Sequence, residues 1–434
     1  MSEPLDCSQA YCVVGAGASG LTALKNLLAE GLAAEAFERA DEVGGNWYYD
    51  HPRSSVYAST HLISSKKLTE YPDFPMPDNY PAYPSHRQIW DYFRAYARHF
   101  GLYERIHFNT AIERIEPAGQ LWLVTLGSGE RRLYRGVVVA NGHHWDPLVP
   151  KLPGSFSGLA IHSQQYKTPD VLRGRRVLVI GAGNSGCDIA VESAQNAAQT
   201  FHSLRRGYHY IPKFVFGRPT DEAGEILHRW RLPLWLRRLV TAVVVRTALG
   251  PPERYGLPRA DHKLLETHPI VNSQLLYYVG HGEIHVKPDV AELCGSQVRF
   301  VDGSLETIDV LVYATGFRVS FPFIDRAYLE WHGERPNLYL NVFHPRYDNL
   351  CVCGMIQPDS GLFGLAHFQA RLIARFFSAV ERGAPAAERF RREKKAAGPD
   401  LGQGIRYLDS SRHAIEVEHY GYRRLLERQI ARFA

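Results

Sequence analysis

The stretch YCVVGAGASG, Tyr11 to Gly20, decides the fold, because its pattern returns as VLVIGAGNSG, Val177 to Gly186. A GxGxxG run carries weight only when a strand enters it and a helix leaves it. Both copies have that setting. Tyr11 to Val14 is a β-rich run into Gly15, and Leu21, Leu24, Leu27 and Leu28 then recur at helical spacing until Gly31 closes the helix. AAEAFE, 33–38, reads as the next strand. In such a unit Gly15 permits the tight turn and Gly17 a close backbone approach to a pyrophosphate. Gly20 lets the helix pack on the sheet, and the helix N-terminus offers its free amides to the anion.

Glu38 ends the second strand, where an acid hydrogen-bonds free ribose hydroxyls and repels a 2′-phosphate. The first site therefore suits FAD or NAD and is expected to include Ala18, Ser19 and Arg39 as well. GGNW, 44–47, resembles the stretch that continues the FAD site in two-dinucleotide flavoproteins, which implies contacts from Gly45, Asn46 and Trp47. In the second copy RRVLVI enters Gly181, and Gly183, Asn184, Ser185 and Gly186 open the helix. After the following strand, 199–204, the place of the acid is taken by Arg205 and Arg206. Guanidinium groups pair with a 2′-phosphate, so this site is expected to take NADPH. Two mononucleotide folds of opposite preference imply a chain that brings FAD and NADPH together for hydride transfer.

The composition agrees with a folded enzyme: 434 residues, 45% hydrophobic and 22% charged. A net charge of +5 is too small for a nucleic-acid stripe, so no nucleic-acid partner is expected. Six cysteines lack CxxC spacing and read as reduced thiols, with no metal site. The first residues show no basic start followed by an apolar run, and a cytoplasmic location is expected. The apolar region 231–250 is broken by Arg237, Arg238 and Arg246, so it reads as a surface helix packing on a partner subunit and not as a transmembrane segment. A homodimer is the expectation.

FSGLAIHSQQYK, 156–167, carries Phe156, Gly158, His162, Tyr166 and Lys167 in the FxGxxxHxxx(Y/F)(K/R) arrangement. With both glycine patterns, GGNW, YPDFPMPDNYP (71–81) and VYATGF (312–317), the chain resembles class B flavin-dependent monooxygenases, and within them the bacterial flavin-containing monooxygenases. The resemblance covers nearly the whole chain. It implies that NADPH reduces FAD, that O2 then forms a C4a-hydroperoxyflavin, and that one oxygen passes to the nitrogen or sulfur of a small amine or sulfide. It also implies that NADP+ stays bound while water is kept out. Tyr166, Thr315, Gly316 and Gln357 become cofactor contacts on the same ground. An asparagine that relatives of the mammalian enzymes place before the YxDFP stretch is missing, since THLISSKKLTEYPDFP has none. His61, Ser64 or Ser65 is expected to supply a donor in its stead.

HGEIH, 281–285, reads as polar surface residues leading into a strand rather than as a metal site, and His143-His144 follows the strand 137–140 at the expected crossing between domains. The architecture expected is α/β: two Rossmann-like dinucleotide-binding domains, the NADPH domain inserted in the FAD domain. Residues 1–165 and 325–434 would build the FAD domain. Residues 166–324 would build the NADPH domain, with an aromatic-rich insertion at about 207–270 that lids the substrate channel. Baeyer-Villiger oxidation of ketones and uncoupled NADPH oxidation are the alternative activities.

Overall fold

The computed structural model describes residues 3–410 and 413–433. Its first sheet starts from the strand Leu5–Val14, which runs parallel to Ala33–Phe37 on one side and to Arg131–Val139 on the other. The helix Ala18–Ala29 joins the first pair, burying Leu21, Leu24 and Leu27 against the strands at the predicted spacing. Beyond Arg131–Val139 the sheet turns antiparallel through Leu121–Leu126 and Ile112–Ala118. Leu350–Val352 returns from far along the chain to pair with Val137–Val139. The 19-residue helix Phe363–Glu381 then covers that face, with 15 residues buried, against the Ala18–Ala29 helix.

The second sheet is all parallel, in the order Ile284–Lys287, Gln199–Ser203, Arg176–Ile180, Val310–Tyr313, Leu159–His162. Two of its inner strands, Arg176–Ile180 and Val310–Tyr313, are nearly continuous apolar runs, as burial on both faces requires. A small sheet of Gly154–Phe156, Val290–Gly295, Gln297–Phe300 and Leu305–Thr307 packs on it. The expected first-domain limit at residue 165 is too late: the strands 154–156 and 159–162 already pair with the second unit, so the chain crosses between Val139 and Gly154. Sequence alone could not assign these short strands, because their pairing partners lie more than 130 residues away. The chain is back on the first unit by the backbone bond from Ile115 N to Phe323 O.

The segment 207–270 leaves the second sheet and returns to it. Its base is pinned by bridges Gly207 with Ala260 and Tyr210 with Ile270. It carries the helices Thr220–Arg229 and Leu234–Leu249. On the outer side of the latter, Trp235, Leu239 and Val243 are exposed. Among the described residues no helix is long and apolar enough to cross a membrane.

Candidate active site

The two glycine loops are built alike to the atom. Gly15 and Gly181 both have positive φ, +99° and +113°, which only glycine adopts without strain. A Cβ on Gly15 would lie 2.9 Å from Ala140 O, and one on Gly181 2.4 Å from Ala314 O. A Cβ on Gly20 would lie 1.8 Å from Gly15 O, and one on Gly186 1.9 Å from Gly181 O. The helices Ala18–Ala29 and Asn184–Asn196 are each preceded by a glycine, Gly17 and Gly183, with no side-chain cap. Their first amides are left for an outside acceptor, which is what a pyrophosphate requires. Gly45 approaches within van der Waals reach of Gly17, so no side chain fills the cradle.

Both loops open on one cavity of about 1020 Å³. Gly15, Gly17, Ala18, Ser19, Glu38, Arg39, Gly45, Asn46 and Trp47 line its first half. Glu38 is held by the amides of Ala16 at 2.7 Å and Ala40 at 3.0 Å, which leave lone pairs on both oxygens for ribose hydroxyls. Arg39 and Arg53 lie over Trp145 at 5.5 and 5.7 Å, and all three face the cavity. Burial, then repulsion from Arg53, holds Arg39 below its ordinary pKa. An anion at this point relieves that repulsion.

Gly181, Gly183, Asn184, Ser185, Arg205, Arg206, Thr315 and Gly316 line the second half. Arg206 Nε is 3.5 Å from Asp261, whereas Arg205 is exposed and makes no ion pair among the described residues. The Asn184 side chain is already engaged, donating to Pro269 O and accepting from Val271 N, so it fixes the end of the 207–270 segment to the loop. Thr315 Oγ1 donates to Leu148 O at 2.5 Å. His61, Ser64, Gln357 and Ser360 also line the cavity. His61 is exposed, with Nδ1 2.8 Å from Ser59 O. Ile63 lines the wall beside Ser64.

Four expected site residues lie off the wall. Gly20 and Gly186 sit behind it, packing helix on strand. Ser65 is buried, and its amide donates to Asp221 Oδ2 at 2.7 Å, so of the three proposed donors only His61 and Ser64 remain. Tyr166 is fully buried and donates to Glu192 at 2.6 Å against the Tyr57 ring, which takes it away from any cofactor. The fingerprint it belongs to acts as a joint instead. Lys167 Nζ donates to Ser54 O at 2.7 Å and Val56 O at 3.0 Å in the first unit. His162 Nε2 lies 3.1 Å from Gly316 O in the second, and burial keeps its ring neutral. A Cβ on Gly158 would strike Asp309 O at 2.6 Å. In HGEIH, His281 ends a helix and its ring packs on Tyr277; no group of three metal-ligating side chains occurs among the described residues.

Sequence reasoning missed Arg53, Trp145, Tyr57, Asp188 and His268, all on the wall. Asp188 lies one turn into the second helix. It accepts from Tyr57 at 2.9 Å and Asn272 at 2.6 Å, and burial raises its pKa despite those bonds. His143 and His144, placed at the crossing between units, have ring centroids 4.3 Å apart and face the cavity with His268. His143 is half-buried and His144 exposed, yet the surrounding wall desolvates both rings, and repulsion within this trio adds to it, so both pKa values are lowered.

Residues 8–421 match the profile of the flavin-binding monooxygenase-like family. The chain belongs to that family. Rat flavin-containing monooxygenase 5 is 34% identical over 434 residues, covering 94% of this chain and 80% of its own length. Human flavin-containing monooxygenase 2 is 35% identical over 391 residues, covering 85% and 73%. Among solved structures, the flavin-containing monooxygenase of Stenotrophomonas maltophilia superposes with a TM-score of 0.66 at 20% identity, over 87% of this chain and 99% of its own. NADP+-bound cyclohexanone monooxygenase from Rhodococcus sp. Phi1 gives 0.72 at 18%, over 99% and 98%. The fold is thus the two-dinucleotide α/β fold, and the protein is a flavoprotein monooxygenase that uses FAD, NADPH and O2. The acid at Glu38 and the uncapped first helix fit FAD; Arg205, Arg206 and the uncapped second helix fit NADPH.

Proposed function

We propose that this monooxygenase oxygenates the nitrogen or sulfur of small, soft nucleophiles such as amines and sulfides. The observation that carries the reading is the single cavity onto which both glycine loops open, its wall shared with the 60–64 segment and the 356–363 segment. FAD, when bound there and reduced, supplies the activation of O2. The chain supplies the rest. Glu38 and the Ala18–Ala29 helix hold one dinucleotide; Arg205, Arg206 and the Asn184–Asn196 helix hold the other by its 2′-phosphate and pyrophosphate. Lys167 ties the two units at a fixed spacing, and Trp47, Leu362 and Phe363 present apolar wall that excludes water.

Two further readings belong to the same account. The exposed row Trp235, Leu239 and Val243 supports a homodimer, tested by light scattering on the wild type and on Trp235→Glu. The cysteines form no disulfide among the described residues, which supports a reducing, cytoplasmic location. The activity itself is tested by supplying 18O2 with an amine, a sulfide or a ketone. One labelled oxygen per NADPH in an N-oxide or sulfoxide is expected; an ester from the ketone alone would replace this reading with Baeyer-Villiger chemistry.

A further inference from the structure

Behind the cavity wall, three carboxylates meet where the 356–363 segment, the chain end and the 207–270 segment join. Glu416 lies on a two-residue strand paired with Gln357–Pro358, and Glu418 caps the C-terminal helix by accepting from Gly421 N at 2.6 Å. Asp359 Oδ1 accepts from the His419 amide at 2.9 Å. Glu416 is 7% exposed and Glu418 1%. Glu416 Oε2 has no hydrogen-bond partner, nor do the buried hydroxyls of Tyr407 and Tyr420 beside the group.

Compensating charge is short. Arg237 Nη1 stands 3.8 Å from Glu418 Oε1. His228 Nδ1 is closer, at 3.2 Å, but Arg237 presses on both its ring nitrogens at 3.0 and 2.9 Å. Burial and that guanidinium push His228 down to about 3, so it is uncharged and does not form the ion pair its distance suggests. His268 Nδ1 lies 3.5 Å from Glu416 Oε1. At the margins, Asp221 and Glu225 face Tyr420, Asp400 faces Tyr407, Arg423 faces His419 and Arg424 faces His228. One guanidinium does not neutralise three buried carboxylates, and uncompensated charge at such depth takes up protons instead. Burial, then the charges of Glu418 and Glu416, pushes Asp359 up to about 7. The group also reaches the cavity: Glu416 Oε1 accepts from Gln357 Nε2 at 2.7 Å, and both Gln357 and His268 line the wall.

We propose that Asp359, hemmed in by the buried carboxylates Glu416 and Glu418, holds a stored proton and passes it by way of Glu416 and His268 to the oxygen atom that leaves as water. Inserting one atom of O2 at the expense of NADPH consumes one proton and yields NADP+, water and the oxygenated guest. In the transfer, the Asp359 O–H bond breaks as a Glu416 O–H bond forms; that bond breaks in turn as His268 Nδ1–H forms, His268 Nε2–H breaks as the O–H bond of water forms, and solvent refills the store. The destination of the proton rests on the proposed function; the store does not.

Infrared difference spectra of the FAD-loaded protein between pH 6 and pH 9, without substrate, test the store. A protonated-carboxyl C=O band that vanishes with a midpoint near neutrality is expected. Asp359→Asn, which keeps the acceptor for His419 N, should abolish it, and Glu418→Gln, which keeps the cap, should lower the midpoint by about one unit or more. Asp359→Asn should also lower kcat at pH 8 about fivefold with the NADPH KM unchanged, a split that a merely structural role would not give. A band that fails to titrate, or that survives Asp359→Asn with its midpoint unmoved in Glu418→Gln, overturns the proposal even in an active enzyme. A titrating band lost in Asp359→Asn upholds the store even if amines and sulfides prove not to be the guests.

Discussion

Gly186→Ala should disable one dinucleotide site and spare the other. The added Cβ would sit 1.9 Å from Gly181 O and 3.3 Å from Ala314 Cβ, against the 3.4 Å at which ordinary contact begins. Relieving the first contact requires helix and loop to part by about 1.5 Å, the difference of 3.4 and 1.9. Overpacking of this kind costs ~1–3 kcal/mol. The helix amides that would hold the pyrophosphate move with the helix, out of the ~2.7–3.2 Å hydrogen-bond range. One charge-assisted bond lost adds ~1.5–3 kcal/mol. The overpacking burdens free and bound protein alike, so the lost bond sets the weakening of NADP+ binding, at ~10-fold to ~150-fold. FAD should remain, because Gly15 and Gly20 belong to a separate sheet. Calorimetric titration with NADP+, beside visible absorbance for bound flavin, gives both numbers. Gly20→Ala, whose Cβ meets Gly15 O at 1.8 Å, should show the reverse: little bound FAD with NADP+ affinity near wild type. A folded Gly186→Ala protein that binds NADP+ within about threefold of wild type would refute the reasoning.

Arg205→Ala should raise the NADPH KM by ~10-fold or more and leave that for NADH within about twofold, since only the former carries the phosphate that the unpaired guanidinium meets. Glu38→Ala should lower both FAD retention and thermal stability, because the Ala16 and Ala40 amides lose their acceptor at ~1–3 kcal/mol each. His202, buried with Nε2 2.9 Å from Gly181 O, is pushed by burial down to about 4. Its folded pKa lies below the unfolded value, so the unfolded chain binds the proton more tightly and stability falls as pH drops from about 6.5 to 4. The loss reaches ~3 kcal/mol from this residue, to be read from denaturant melts at pH 7 and pH 4. His202→Gln should lose less over the same interval. Lys167→Met removes the bonds to Ser54 O and Val56 O that tie the two units, and should slow flavin reduction by NADPH without changing either dinucleotide's affinity more than about threefold.

Much of this was legible in the residues. The β-αβ units around Gly15 and Gly181 announce themselves because strand, glycine turn and helix are set by neighbours a few positions apart. Glu38, Arg205 and Arg206 followed by counting along the same units, and the structure puts all three on one cavity. Tyr166 went astray because a fingerprint records that a residue matters, not whether it touches a ligand or, like Tyr166 with Glu192, is locked inside the second unit. Ser65 differs from Ser64 only by the turn that begins the Lys66–Thr69 helix, which points its amide at Asp221 and removes it from the wall. Arg53, Trp145 and His268 carry no local pattern. They reach the cavity through long-range packing, and long-range pairing likewise places the strands 154–156 and 159–162 that moved the domain limit.

The claim on which the account depends is that one cavity joins a bound FAD to NADPH. Anaerobic titration of the FAD-loaded protein with NADPH measures it most directly. The account predicts bleaching of the flavin band by one equivalent of NADPH per bound FAD, far faster than by NADH. Flavin that stays bound and oxidised in the presence of excess, demonstrably bound NADPH would contradict it.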